Sequence, residues 1–282
     1  VATLSGAAIK EALENQWQTD EQAEKSGRPR LDMGLSDNVS YTYNPSAPRG
    51  EKITQITIDG APVEMDKDYR VAGSSFLFDG GDDFIDPAKV RDRNDVGYND
   101  LQAFVDYLKS GDAAVRGGQK DVGIVLPEGG LKAGEENTIE LSSLSYSSEG
   151  EPQAKTVTVA IGDATVTADV DNAVTDADAG LGEQGRATVK LDIPAEISGE
   201  QTLKITTDAK TNVSVPVTVA AAPEKETPAE PTPADDNGSS GSSDAPIGAI
   251  IAGVVAVLSV LSLLLAFPID SFLGPIASFG KK

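Results

Sequence analysis

Histidine and cysteine are both absent from the 282-residue sequence. Without them the chain can form no zinc finger, Ser-His-Asp triad, thiol nucleophile, disulfide or imidazole-ligated metal site. Any metal ion bound here would be a hard cation held by oxygen atoms. Basic residues are also few, with 23 Lys and Arg against 45 Asp and Glu, for a net charge of −22. A chain this acidic repels phosphate backbones, so we expect no nucleic-acid partner.

Charged residues are missing from one stretch near the C-terminus, the apolar run at residues 247–267. About 20 such residues cross a bilayer core. An acidic stretch precedes the run and two lysines end the chain, so the positive-inside rule predicts a transmembrane helix at 246–268 and a cytoplasmic tail at 269–282. A buried core helix is the alternative. We therefore expect a single-pass protein of the cell membrane, with its bulk extracellular and its C-terminus cytoplasmic.

The segment before this run, residues 221–245, has no large apolar side chain. Four prolines, several acidic residues and a Gly/Ser-rich end give it a composition that cannot bury a core. We expect a disordered stalk.

Residues 119–220 alternate apolar and polar positions, as in Val157, Val159 and Ile161. A period of two indicates half-buried strands. About 100 residues with strands and turns at such spacing predict an all-β immunoglobulin-like sandwich. An acidic stretch from Asp169 to Asp178 departs from the calcium-loop pattern, and we interpret it as a solvated turn.

Residues 1–118 combine helical and strand periodicities, which predicts an α+β domain. Ser5 is a candidate N-cap for one helix, and Asn99 for a second that would end at Gly111. The strands expected between them are 39–43, 53–58 and 69–72.

Several stretches of this first domain resemble, in the same order, the C-terminal domain of the 5'-nucleotidase family. These two-domain metallophosphatases include UDP-sugar hydrolases and 2',3'-cyclic-nucleotide phosphodiesterases. The matching stretches are LSGAAIKEALEN at 4–15, the strand segments 41–45 and 53–68, the loop FLFDGGDDF at 76–84, and the helix at 100–109. The loop is the most specific of them, because it resembles the family's Phe-containing GGDGF loop.

In that family this domain supplies the nucleotide-binding pocket. The resemblance implies that Phe76 stacks on the base, that Asp82 hydrogen-bonds the nucleoside, and that Gly80 and Gly81 shape the loop. The residue types suit these roles, because a base needs an aromatic platform and a few polar partners. Two glycines also permit a positive φ and a close approach of the backbone.

Two observations leave the loop open to other interpretations. Phe76, Phe78 and Phe84 could all be core residues, with the glycines forming only a tight turn. Asp83 stands where the family usually has glycine, which would place a second carboxylate beside Asp82 and could impair the pocket.

The chain is therefore interpreted as the nucleotide-binding portion of a membrane-anchored, extracellular bacterial 5'-nucleotidase-type phosphohydrolase. Because it begins at Val1 without a signal peptide, we expect a fragment that lacks the N-terminal metallophosphatase domain. The resemblance places the divalent metal pair in that missing domain, so no catalytic residue and no metal ligand is assigned here. The alternative is a non-catalytic cell-surface binding or adhesive protein. The substrate, a nucleotide or a nucleotide sugar, is left open.

Overall fold

The computed structural model describes residues 1–111, 116–173 and 182–223. Four helices lie in this part of the chain: α1 (Gly6–Glu14), α2 (Asp20–Ser26), α3 (Ser75–Phe78) and α4 (Asp100–Ser110). Short 3₁₀ turns occupy Gly81–Asp83 and Pro87–Lys89. The strands are β1 (Ala2–Ser5), β2 (Val39–Tyr43), β3 (Ile53–Ile58), β4 (Ala61–Pro62), β5 (Asp68–Val71), β6 (Asp121–Val125), β7 (Leu131–Lys132), β8 (Glu136–Ser142), β9 (Thr156–Ile161), β10 (Ala164–Asp169), β11 (Ala187–Asp192), β12 (Gly199–Thr207) and β13 (Asn212–Ala220).

The ends of the helices follow local sequence signals. The Ser5 side chain accepts a hydrogen bond from the Ala8 backbone N–H, and the Asn99 side chain accepts one from Gln102. Each of these bonds satisfies one of the backbone donors that a helix leaves free at its start. Gly111 closes α4 in the left-handed conformation, at φ 78°. The caps and the stop predicted from the sequence are confirmed.

Six strands form one mixed sheet in the order β11-β8-β6-β2-β3-β4. Its centre is the parallel pairing of β2 with β6, which sets Tyr41 opposite Asp121 and Tyr43 opposite Gly123. The other neighbours in the sheet are antiparallel. Strands from both sides of residue 118 therefore share one hydrogen-bonded sheet.

A second, five-stranded sheet has the order β10-β9-β12-β13-β7, with β13 and β7 parallel. The inward side chains of the two sheets bury one another, and among them Val157, Val159, Ile161, Leu203 and Ile205 have no exposed surface. Burial of a side chain of this size contributes about 1.5 to 3 kcal/mol. The period-two pattern thus identified the buried faces of these strands correctly.

The first part of the chain has two smaller clusters around α1. One joins Leu4, Ala8 and Ala12 to Phe78 and Phe84, and the other joins Leu13 and Trp17 to strands β2 and β3. Glu14, buried on α1, also accepts backbone hydrogen bonds from Lys52 and Ile53 at the start of β3, at 3.0 and 2.7 Å. This carboxylate anchors the helix to the strand.

The predicted fold class, an α+β domain followed by a separate immunoglobulin-like sandwich, a stalk and a transmembrane helix, is wrong. The described part of the chain is mostly sheet with few helices, and its mixed sheets include two parallel pairings. Alternation along a strand shows which side chains point inward, but it does not identify the neighbouring strand. The pairing of β2 with β6 could not be seen in that pattern.

The predicted localisation, a single-pass protein of the cell membrane, is corrected as well. Across the residues that the structure describes, none of the helices combines the length and apolar character needed to cross a membrane. The proposed helix at 246–268 and the tail at 269–282 lie outside the described residues, as does nearly all of the stalk at 221–245. The domain limits 1–118 and 119–220 stay predictions.

Candidate functional site

The predicted binding loop follows β5 and is built from short-range signals. The Ser74 side chain accepts a hydrogen bond from the Leu77 backbone N–H and so caps α3, a single helical turn. Asp79 ends this turn, and Gly80 follows in the left-handed region at φ 89°, where glycine carries no steric penalty. The chain then enters the 3₁₀ turn Gly81–Asp83.

The three phenylalanines of the loop have different environments. Phe78 and Phe84 are buried, with 2% and 4% of their surface exposed, and they belong to the cluster around α1. The Phe76 side chain is 56% exposed. The interpretation of all three as core residues is therefore wrong for Phe76, which presents an aromatic ring to solvent.

Gly81 lies directly against this exposed ring. A Cβ atom added at Gly81 would come within 2.4 Å of two ring atoms of Phe76, far inside van der Waals contact. Any larger residue at this position would displace the ring. The glycine pair therefore has two separate uses: Gly80 permits the positive φ, and Gly81 lets the ring of Phe76 rest on the backbone.

Asp82 and Asp83 both adopt left-handed conformations, at φ 54° and 56°. Aspartate visits this region more readily than most residues, at an energetic cost. The Asp83 carboxylate accepts a hydrogen bond from Gln22 Nε2 on α2 at 2.6 Å. Asp82 is exposed, and no hydrogen bond to its carboxylate is found within the described ranges. Asp83 is thus tied to the protein, whereas Asp82 is available to a ligand.

The orientation of Gln22 follows from the start of α2. Its side-chain oxygen accepts hydrogen bonds from the Thr19 backbone N–H and hydroxyl, both at 2.9 Å, in a capping box. The amide nitrogen of Gln22 consequently points away from the cap and donates to Asp83.

The end of the loop is held by a second contact. Asn15, at the end of α1, donates from Nδ2 to the Phe84 carbonyl at 3.1 Å and accepts from Arg49 Nη2 at 3.2 Å. Sequence reasoning missed Asn15, Gln22 and Arg49. The capping pattern of Thr19 and Gln22 was the one signal that could have indicated any of them.

The arginines that follow the loop are paired with carboxylates. Arg91 contacts Asp68, and Arg93 contacts Asp79 and Asp95. The hydrogen bond from Arg93 lowers the pKa of Asp79. In the described part of the chain, no group of three or more Asp or Glu side chains is arranged to hold a metal ion.

A separate cluster surrounds Arg30, which is 6% exposed although it is charged. Its guanidinium lies 4.9 Å from the Trp17 ring and 5.2 Å from the Tyr43 ring, within cation–π range. Nη2 lies 2.8 Å from Asp32 and 3.5 Å from Asp121. Burial raises the pKa of Asp121 to about 6, and the neighbouring Arg30 opposes that rise.

This cluster borders a cleft of about 490 Å³ that includes Asp32, Asp121 and Tyr41 in its wall. The residues lining the cleft lie between 16 and 41, between 116 and 121, and at 146 and 183. The cleft is therefore distinct from the Phe76 loop, and sequence reasoning did not identify it.

Comparison with known proteins bears on the first part of the chain. Residues 1–88 match the family described as 5'-nucleotidase, C-terminal domain. The "Trifunctional nucleotide phosphoesterase protein YfkN" of Bacillus subtilis (strain 168) is 30% identical over 114 residues, which is 39% of this chain. The aligned part makes up 7% of that relative. The family match includes α1, α2 and the loop with Phe76, and it ends before α4.

Proposed function

We propose that residues 1–88, which match the C-terminal domain of 5'-nucleotidases, bind the nucleoside part of the substrate of a 5'-nucleotidase-type phosphohydrolase. The observation that carries the proposal is the exposed ring of Phe76, which rests against Gly81 beside the free carboxylate of Asp82. A flat aromatic surface next to a polar acceptor suits a base that presents an apolar face and polar edges.

The chemistry of these side chains indicates which part of a nucleotide each would contact. The Phe76 ring would stack on the base, an interaction that contributes about 1 to 3 kcal/mol. An ionised carboxylate only accepts hydrogen bonds, so Asp82 would pair with an N–H or O–H of the nucleoside. It would repel a phosphate, because both groups are anionic. The loop therefore selects the nucleoside, and the phosphate would lie elsewhere.

Hydrolysis itself is assigned to a part of the protein outside these 282 residues. We propose an N-terminal metallophosphatase domain with a divalent metal pair, which would supply an activated water molecule and stabilise charge at phosphorus. The chain, which spans about 7% of the length of its curated relative, would contribute substrate selection. Mononucleotides, cyclic nucleotides and nucleotide sugars all present a base to the loop.

Substitution of Phe76 in the full-length enzyme tests the proposal. Phe76→Ala is expected to lower kcat/KM for a nucleotide by about 5-fold to 150-fold, which corresponds to the loss of one base–aromatic stack. Hydrolysis of p-nitrophenyl phosphate, which has no base, should stay within about twofold of the wild type.

Two further variants serve as controls. Gly81→Ala retains the phenylalanine at position 76 but pushes its ring out of position. It should therefore impair nucleotide hydrolysis in the same selective way. Phe84→Ala should instead destabilise the fold by about 3 to 5 kcal/mol, because Phe84 is a core residue. If Phe76→Ala lowers the hydrolysis of both substrates equally, together with the melting temperature, the binding role is refuted.

A further inference from the structure

Two side chains outside the binding loop hold its last part in place. Gln22, on α2, donates from Nε2 to the Asp83 carboxylate at 2.6 Å. Asn15, at the end of α1, donates from Nδ2 to the Phe84 carbonyl at 3.1 Å. The two bonds fix consecutive residues, and these residues directly follow Asp82. The loop is therefore anchored next to the carboxylate that it presents to solvent.

The anchored residues are connected to the ring of Phe76 through the backbone. The Phe84 N–H donates to the Gly81 carbonyl at 3.5 Å, across the 3₁₀ turn Gly81–Asp83. The Phe76 ring rests on Gly81, and Asp82 is the middle residue of the turn. A shift at the anchored end would therefore move both the support of the ring and the exposed carboxylate.

The orientation of Gln22 is fixed although its helix adds nothing to the core. None of the residues of α2 is buried. The helix nevertheless begins with a capping box, in which the Gln22 side-chain oxygen accepts from the Thr19 backbone N–H and hydroxyl. The amide nitrogen is thereby directed toward Asp83. This arrangement suits the orientation of a loop better than the support of a core.

Asn15 is oriented by a contact on its other side. Its side-chain oxygen accepts from Arg49 Nη2 at 3.2 Å, and Arg49 Nε donates to the Trp17 carbonyl at 2.7 Å. A guanidinium only donates and a carbonyl oxygen only accepts. The amide of Asn15 can therefore satisfy both neighbours only with its nitrogen toward Phe84. The donor that holds the loop is fixed before a ligand arrives.

We propose that Gln22 and Asn15 are positioning residues for the nucleoside site, which act on the substrate through the loop and do not contact it themselves. This role rests on the proposed nucleoside-binding function. A loop that is already held in its binding conformation loses less freedom when the ligand binds, so it binds more tightly. Loss of either bond should raise KM for a nucleotide and leave kcat nearly unchanged.

An exchange of donor and acceptor in the full-length enzyme tests the Gln22 contact. Gln22→Glu keeps an acceptor for the Thr19 cap but sets a carboxylate against Asp83, so KM for a nucleotide should rise about 3-fold to 10-fold. Asp83→Asn alone should leave KM within about twofold of the wild type, because its side-chain oxygen still accepts from Gln22. The double variant should also return KM to within about twofold, since the new asparagine amide donates to the new glutamate.

Asn15→Asp tests the second contact. It keeps the acceptor for Arg49 but removes the donor to the Phe84 carbonyl, so a similar rise in KM is expected. Gln201→Glu, on β12, is the matched control, because Gln201 Nε2 donates to the Ser198 carbonyl at 2.9 Å. This change also replaces an amide by a carboxylate, but outside the loop and the residues that hold it. It should leave KM for the nucleotide unchanged.

Phe76→Ala in the same assays separates the positioning role from the function on which it rests. If Phe76→Ala raises KM but Gln22→Glu or Asn15→Asp leaves it within about twofold of the wild type, the nucleoside site stands and the proposal is overturned. It is equally overturned if the double variant is as impaired as Gln22→Glu, or if Gln201→Glu raises KM as much. If Phe76→Ala leaves KM unchanged, the nucleoside site itself is refuted, and its positioning residues with it.

Discussion

Replacing Arg30 by alanine should destabilise the fold by about 2 to 4 kcal/mol, because the buried guanidinium packs against two rings and pairs with two carboxylates that are only partly buried. Arg30 belongs to the first part of the chain and Asp121 begins β6 in the second, so their contact joins the two. The substitution would also remove a charged group that lies against the rings of Trp17 and Tyr43.

Arg30→Met separates charge from packing. Methionine retains most of the volume between the two rings, so the remaining cost comes mainly from the carboxylates of Asp32 and Asp121, which lose their cationic partner. In the wild type the pKa of Asp121 is already raised to about 6 by burial, and loss of Arg30 would raise it further. At pH 5 Asp121 would then be protonated and neutral. The cost of Arg30→Met should therefore be smaller at pH 5 than at pH 7.5.

The direction of this pH dependence follows from proton linkage. A carboxyl group with a raised pKa in the folded state favours folding at low pH, and that contribution is lost as the pH rises through the folded-state value. Urea unfolding of the full chain, followed by circular dichroism at both pH values, measures the effect. The reasoning is refuted if Arg30→Ala costs less than about 1 kcal/mol, or if the cost of Arg30→Met is the same at both pH values.

Two further predictions concern the loop and the unity of the fold. Asp83→Ala should lower the free energy of unfolding in urea by about 1 to 2 kcal/mol, because alanine loses the hydrogen bond to Gln22 and tolerates a positive φ poorly. Asp83→Asn should lower it by less than about 0.5 kcal/mol. Equal losses for the two variants would contradict this prediction. Because β2 and β6 share one sheet, Trp17 fluorescence and far-ultraviolet circular dichroism should report the same unfolding midpoint, and two separate midpoints would show independent domains.

The parts of the fold that the sequence predicted correctly depend on near neighbours in the chain. Ser5, Asn99 and Gly111 act within one turn of their helices, and the alternation from Val157 to Ile161 is a property of one strand. Strand partners depend on contacts between distant residues. A central parallel pairing between residues about 80 positions apart, such as Tyr41 with Asp121, leaves no local trace.

The same distinction applies to the candidate site. The loop composition indicated an aromatic residue beside glycines, but it could not separate Phe76 from Phe78 and Phe84, which differ in exposure rather than in type. Arg30 had no signal at all, since an arginine between Pro29 and Leu31 belongs to no pattern that predicts burial. Its position becomes meaningful only once Trp17, Tyr43 and the carboxylates surround it.

The backbone of the loop is compatible with a binding role. Gly80, Asp82 and Asp83 all have positive φ values within four residues, and two of them are not glycine, at a cost of about 1 to 2 kcal/mol each. Backbone strain of this kind persists where surrounding contacts hold it, and it clusters at ligand-binding sites. Here Gln22 holds Asp83 and Asn15 holds the Phe84 carbonyl. Asp59 and Lys210 also have positive φ values, in turns between neighbouring strands. What distinguishes this loop is that the ring of Phe76 lies against Gly81 and the carboxylate of Asp82 lies in solvent, which supports the proposed nucleoside site.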